Sequence, residues 1–368
     1  MTAIEPIRPV HPTSRRHRRP LWAVLAALVL VAVGIGTFLA VSGTGRAAPT
    51  TAATHAALRG GSAAPQPAPA PVPVPDAPPL GVYAGPGAAA AAEAVDQQLG
   101  GTVSYALDFL PHGSWAAMTN VAWLQSAWTG SPFDLIVGVP MLPDSGATMA
   151  QGALGDYDDE FSQLAENLVG AGFGRATLMI GWQPDDSGTA WAVKTPAQAR
   201  QYVEYWDAIQ TSMASAPGAD FDFEWDAGDS GASSVSPALM YPGDAAVGMV
   251  ATDAFDIVPS SVTAADQWSA VNGRRWGPAW MASFAATHHK PLALGMWGLV
   301  PKSASGGGDS AAFVTDLVRW AASVHASMCV LWDYNAWAIT DGTFPGADAR
   351  LAQVAAGTAG SQGPASAA

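Results

Sequence analysis

Eight short apolar runs alternate with longer helix-patterned stretches over residues 81–355, which predicts an α/β fold of the (β/α)8 TIM barrel class. Several runs are almost continuously apolar, such as LIVGVP at 135–140 and ATLMIGW at 176–182. Strands buried on both faces of a parallel sheet read this way. A doubly wound open sheet is the runner-up. No Gly-rich dinucleotide or phosphate loop follows an early strand, which weighs against it.

Taken in order, residues 1–20 form a basic tail containing Arg8, Arg15, Arg16, Arg18 and Arg19. Leu21–Val41 is then free of charge, and a helix of that length spans a hydrocarbon core of roughly 30 Å. A single transmembrane signal-anchor over 21–42 is therefore expected. The basic flank stays cytoplasmic, so the C-terminal domain is expected to be extracytoplasmic. A cleaved signal peptide, giving a secreted protein, is the competing reading, with Gly45-Arg46-Ala47-Ala48 as a serviceable cleavage site. Residues 43–80 read as an Ala/Pro-rich linker. Eight prolines between Pro65 and Pro79 favour an extended stalk of about 45 Å.

The strand candidates of the body are Gly81–Ala84, Thr102–Phe109, Asp134–Pro140, Ala176–Trp182, Asp220–Trp225, Val247–Phe255, Pro291–Gly298 and Ser327–Asn335. Helices are expected over Asp156–Ala171, with Phe161, Leu164 and Leu168 on one face, and over Ala197–Met213, opened by Pro196 and striped by Tyr202, Tyr205, Trp206 and Ile209. A third is expected over Ala311–Ala322, carrying Phe313, Leu317 and Trp320. The tail 356–368, small and polar, is expected to be frayed.

Charge narrows the function. The chain holds 16 Lys and Arg against 30 Asp and Glu, a net −14, and 49% of its residues are hydrophobic. Six of the arginines lie in residues 1–46, so the body is more acidic than the whole and repels phosphates, which excludes nucleic acid as a partner. Cys329 is the only cysteine, which rules out an internal disulfide and a Cys-based zinc site. No pair of His sits at ligand spacing, and no metal or cofactor is expected.

A barrel places function at the C-terminal ends of its strands. Those ends read Asp108, Trp182-Gln183, Trp225-Asp226, Asp253 with Asp256, Met296-Trp297 and Trp332-Asp333, with Trp191 on the loop after the fourth strand. Indole faces stack on the C–H faces of pyranose rings, and acids and amides bind hydroxyls. The set suits a neutral polysaccharide. His112, on an active-face loop, is read either as a sugar contact or as a structural hydrogen bonder. His288-His289 is expected at the opposite face.

Taken together, GVYAGPG (81–87), YALDFLPHGSW (105–115), VGVPMLP (137–143), IGW (180–182), FDFEWD (221–226), YPGD (241–244), TDAFD (252–256), KPLALGMWGL (290–299), GGGD (306–309) and WDYNA (332–336) resemble glycoside hydrolase family 26, known for endo-β-mannanases. The resemblance implies a retaining barrel glycosidase with one glutamate after strand 4 as acid/base and another after strand 7 as nucleophile. Here those positions are Gln183 and Met296, and the Asn that follows the acid/base is matched by Asp185. An amide has no proton to give, and a thioether cannot form the glycosyl ester.

The reading is thus a tethered, family 26-like pseudoenzyme that recognises a β-linked, mannan-like polysaccharide. Candidate binding residues are Asp108, Trp182, Trp191, Trp225, Trp297, Trp332 and Asp333. Two alternatives stay open. One is an active endo-β-glycanase using substitute carboxylates, Asp185 and Asp226 foremost, at inverting separation. The other is a structural cell-envelope scaffold.

Overall fold

The computed structural model describes residues 77–186, 188–229 and 234–359. The basic tail, the Leu21–Val41 run and the linker up to residue 76 lie outside the described residues. Among the described residues no helix is long and apolar enough to cross a membrane.

Eight parallel strands close a barrel in sequence order: β1 (Leu80–Tyr83), β2 (Val103–Phe109), β3 (Asp134–Val139), β4 (Thr177–Ile180), β5 (Asp222–Asp226), β6 (Met249–Phe255), β7 (Leu292–Gly298) and β8 (Met328–Trp332). Each falls on an expected run. β1 pairs with β8 through Gly81 opposite Val330 and Tyr83 opposite Trp332, so there is no open edge and the doubly wound alternative is excluded.

The outer layer comprises α1 (Ala89–Gln98), α2 (Trp115–Thr119), α3 (Ala122–Trp128), α4 (Met149–Gly152), α5 (Asp158–Gly170), α6 (Pro196–Ala214), α7 (Gln267–Asn272), α8 (Pro278–His288), α9 (Ala311–Ser323) and α10 (Pro345–Ala359). Side-chain oxygens of Thr195 and Ser310 accept from the backbone N–H of Gln198 and Phe313, starting α6 and α9. The pattern of eight strand–helix units is broken once. Among the described residues the β5–β6 connection carries only a short 3-10 turn, Pro237–Leu239. The last helix also continues to Ala359, past the expected boundary at 355, because Leu351, Val354 and Ala355 are buried.

Strand alternation sorts side chains into two cores. One lies between barrel and helices and includes Leu178, Phe223, Trp225, Val250 and Leu294. The other fills the barrel and includes Tyr83, Leu107, Ile136, Met179, Ala251, Phe255, Met296 and Val330. The β7–β8 register shifts between Leu294 and Trp297. That irregularity turns both Gly295 and Met296 to the inside before Trp297 returns to the helix side.

Candidate functional site

The end of β4 is anchored from outside. On α6, Tyr202 Oη donates to the Gly181 carbonyl at 2.9 Å and Trp206 Nε1 to the Ile180 carbonyl at 3.1 Å. The chain then turns through two left-handed residues, Gly181 (φ +57°) and Gln183 (φ +50°). A glutamine in that region is uncommon and is held there by its surroundings. Its side-chain Nε2 donates to Asp253 Oδ2 at 2.5 Å. Asp253 in turn pairs, Cα to Cα, with Met296 on β7. The two positions singled out by the resemblance therefore flank one carboxyl that belongs to neither. Met296 itself is buried in the barrel interior.

Carboxyls crowd this side of the mouth. Asp226 Oδ1 accepts from the Gly228 N–H at 2.9 Å, while Oδ2 is buried without a hydrogen-bond partner among the described residues. Asp253 Oδ1 is buried and unpartnered in the same sense. Below them Glu224 projects into the barrel, with both carboxyl oxygens unpartnered among the described residues. A methyl group on Gly295 would stand 3.2 Å from Glu224 Oε1 and 3.2 Å from the Ala251 Cβ. Burial raises all three acids well above ordinary carboxylates, and mutual repulsion adds to it: Asp226 acts on both Glu224 and Asp253. A buried carboxyl without a donor stays protonated. Asp185 and Asp186 are half-buried on the loop after Gln183, and Asp185 touches Gly228. Asp229 forms an ion pair with Arg274.

The other side of the mouth is aromatic. Trp182 packs on Phe109 (ring centroids 4.8 Å apart), Phe109 on Tyr83 (5.2 Å) and Tyr83 on Trp332 (4.4 Å). Trp332 meets Phe255 (6.3 Å), and Phe255 meets Trp337 (5.5 Å). Tyr334 leans on Tyr83 at 5.6 Å. Phe109, Trp182, Trp332, Tyr334 and Trp337 are all partly exposed, so this arc is the surface a flat apolar ligand face would meet. Of this arc the sequence had singled out Trp182 and Trp332, and not Tyr83, Phe109, Phe255, Tyr334 or Trp337. For the strand residues the signal was parity. Phe109 lies two residues beyond the inward Leu107, and Phe255 four beyond the inward Ala251.

Five expected binding residues are placed elsewhere. Trp225 and Trp297 lie on the outward parity and are fully buried under the helices. Trp225 packs on Tyr241 (5.2 Å) and on Phe284 of α8 (5.9 Å). Trp191 is buried, and its Nε1 donates to the Trp182 carbonyl at 2.8 Å, supporting the arc from beneath. Asp108 faces outward and accepts from Gly87 N (2.8 Å), Phe109 N (2.8 Å) and Trp128 Nε1 (2.7 Å). Burial nevertheless outweighs those bonds and lifts its pKa to about 6. Asp333 folds its own loop, accepting from Ile339 N (2.6 Å), Thr340 N (3.0 Å) and Thr340 Oγ1 (2.5 Å).

His112 Nδ1 pairs with Asp144 Oδ1 at 2.6 Å, and its ring meets Trp191 edge-on. Asp256 holds the loop after β7 through Val300 N at 2.5 Å. Burial pushes its pKa to about 7. At the opposite face a shallow cavity of about 410 Å³ is lined by Asp220, Asp222, Asp244 and Lys290, beside the His288–Asp244 pair. It opens at the strand starts, away from the ends where barrel chemistry sits. Among the described residues no group of three or more His, Cys, Asp or Glu could hold a metal ion.

No protein-family model and no curated protein matches the chain. Solved structures do. The GH26 domain of an endo-β-mannanase/endo-β-glucanase from Prevotella bryantii aligns over 76% of this chain and 88% of its own, at 13% identity and TM-score 0.52. A Cellulomonas fimi endo-β-1,4-mannanase aligns over 75% and 70%, at 15% identity and TM-score 0.54. A GH26 β-mannanase from Bacteroides ovatus aligns over 76% and 88%, at 13% identity and TM-score 0.51. What these share with the chain at such identities is the glycoside-hydrolase-like barrel fold.

Proposed function

We propose that this protein is a carbohydrate-recognition barrel that binds a neutral, β-linked polysaccharide, mannan-like by analogy with its structural neighbours, and that it lacks retaining hydrolysis. One observation carries the second half. The strand ends where a retaining barrel glycosidase needs two carboxyls hold the Gln183 amide and the Met296 thioether. Asp226 and Asp253 do not substitute for them: burial and mutual repulsion favour their protonated forms and each already has one oxygen engaged, so neither supplies the ionised carboxylate that a nucleophile needs. The exposed aromatic arc supports the binding half, because it offers ring faces without a matching cluster of cations.

The chain's N-terminal composition supports a tether: Leu21–Val41 as membrane anchor and the proline-rich stretch as stalk, holding the barrel outside the cell. Calorimetric titration of the full chain with mannohexaose and cellohexaose, paired with a reducing-sugar assay on mannan, tests the reading. Binding without release of sugar is expected. Sustained release would make the protein a hydrolase.

A further inference from the structure

Gln183 is held by its side chain, whose nitrogen donates to Asp253 Oδ2 at 2.5 Å. Asp253 and Asp226 occupy adjacent strands on the same inward parity. Asp226 pairs with Ala251, and Asp253 lies two residues further along β6. Each has one oxygen engaged, Asp226 Oδ1 by Gly228 N and Asp253 Oδ2 by Gln183. Each has the other buried and unpartnered among the described residues, Asp226 Oδ2 and Asp253 Oδ1. Two buried acceptors with no donor repel each other. A single proton placed between them satisfies both.

We infer that Asp226 and Asp253 share one proton and form a clamp, Gly228 N–H to Asp226, Asp226 to Asp253, Asp253 to the Gln183 amide, that turns the amide oxygen toward the cleft as an acceptor for a sugar hydroxyl. The Gln183 oxygen is not among the buried unpartnered atoms and makes no hydrogen bond to the described residues, so it is open to a ligand. The ligand class rests on the carbohydrate reading above; the clamp does not. Asp253 and Asp226 are positioning residues here, acting through Gln183.

Other charged or titratable groups face the pair from each neighbouring element. Glu224 and Asp229 do so from β5 and its loop, Asp185 from the loop after β4 and Tyr202 from α6. Arg274, beyond α7, is engaged by Asp229. Acids outnumber cations in this set, which favours the retained proton.

The test uses the full chain labelled with ¹⁵N-glutamine and ¹³C-aspartate. The Gln183 side-chain signal is identified by its loss in Gln183→Leu. At neutral pH one Gln183 amide proton is expected downfield of free glutamine, and Asp226 and Asp253 are expected to titrate as one coupled pair above the ordinary carboxylate range. Asp253→Asn supplies an N–H where the shared proton lay. It is expected to keep the downfield signal and lose the pH step, whereas Asp253→Leu loses both. A free-glutamine signal in the parent chain, or an Asp253 that titrates as an isolated carboxylate, overturns the clamp.

Mannohexaose affinity separates the second half of the proposal. It should fall at least about tenfold in Asp253→Leu and recover in Asp253→Asn. Equal affinity in Asp253→Leu and the parent overturns the acceptor role. If the parent binds neither mannohexaose nor cellohexaose, the carbohydrate reading and the acceptor role both fall, and the NMR signals alone decide the clamp.

Discussion

Asp253 stands beside Met296 across the β6–β7 ladder while its carboxyl holds the Gln183 side chain, so one acid bridges the two strand ends that a retaining glycosidase would arm. Gln183→Glu combined with Met296→Glu should therefore create measurable reducing-sugar release from mannan, and neither single change should. Met296→Glu alone should lower stability by about 2–4 kcal/mol, because it buries a carboxyl in the barrel interior. Urea denaturation and the sugar assay check both statements. A folded, inert double variant would detach these two positions from the roles assigned to them.

Acidity should stabilise the fold. Asp108 and Asp256 have folded-state pKa values raised to about 6 and about 7, and Glu224, Asp226 and Asp253 are raised as well. A raised acid binds its proton more tightly folded than unfolded. Its contribution is complete below the unfolded pKa near 4 and is lost as pH climbs to the folded value, at up to about 1.4 kcal/mol per pH unit for each group. The urea midpoint is expected to be higher at pH 5 than at pH 7.5. A rising profile over that interval contradicts the assignment.

Glu224→Met should raise stability at neutral pH by about 1–3 kcal/mol and flatten that profile. The new side chain matches the length of the old one and meets the apolar Met179 and Ala251 without an unpaired oxygen. Paired urea titrations at pH 5 and pH 7.5 show whether the gain is confined to the higher pH.

Two tryptophans should separate packing from recognition. Trp225→Ala should cost about 3–5 kcal/mol of stability with no loss of mannohexaose affinity in the folded fraction, since the ring lies beneath α8. Trp182→Ala, at the open end of the arc, should weaken binding at least about tenfold. Calorimetry on both variants distinguishes them. The reverse ranking would return Trp225 to the site.

The strands were legible because a run buried on both faces needs no second signal: LIVGVP and ATLMIGW are apolar enough to stand out alone. Which side each residue faces was less legible. Trp297 follows a bulge at Gly295 and Met296 that no apolar count announces, and Trp225 is one residue off the inward parity set by Glu224 and Asp226. Asp108 and Asp333 sit at strand ends as expected, but their oxygens are consumed by backbone N–H groups supplied by loops whose paths are set by tertiary folding. Asp253 was visible as a strand-end acid. Its grip on Gln183 was not, because it depends on a left-handed turn at the end of a different strand.

The aromatic arc crosses from the first strand directly to the last, through the contact of Tyr83 with Trp332. The arc is therefore among the final things the chain can assemble. While the ribosome still holds β8, half of that surface has no backing, and a product clipped before Met328 would lack Trp332, Tyr334 and Trp337. Synthesis to the end of the message thus acts as a timer on when this arc is first complete.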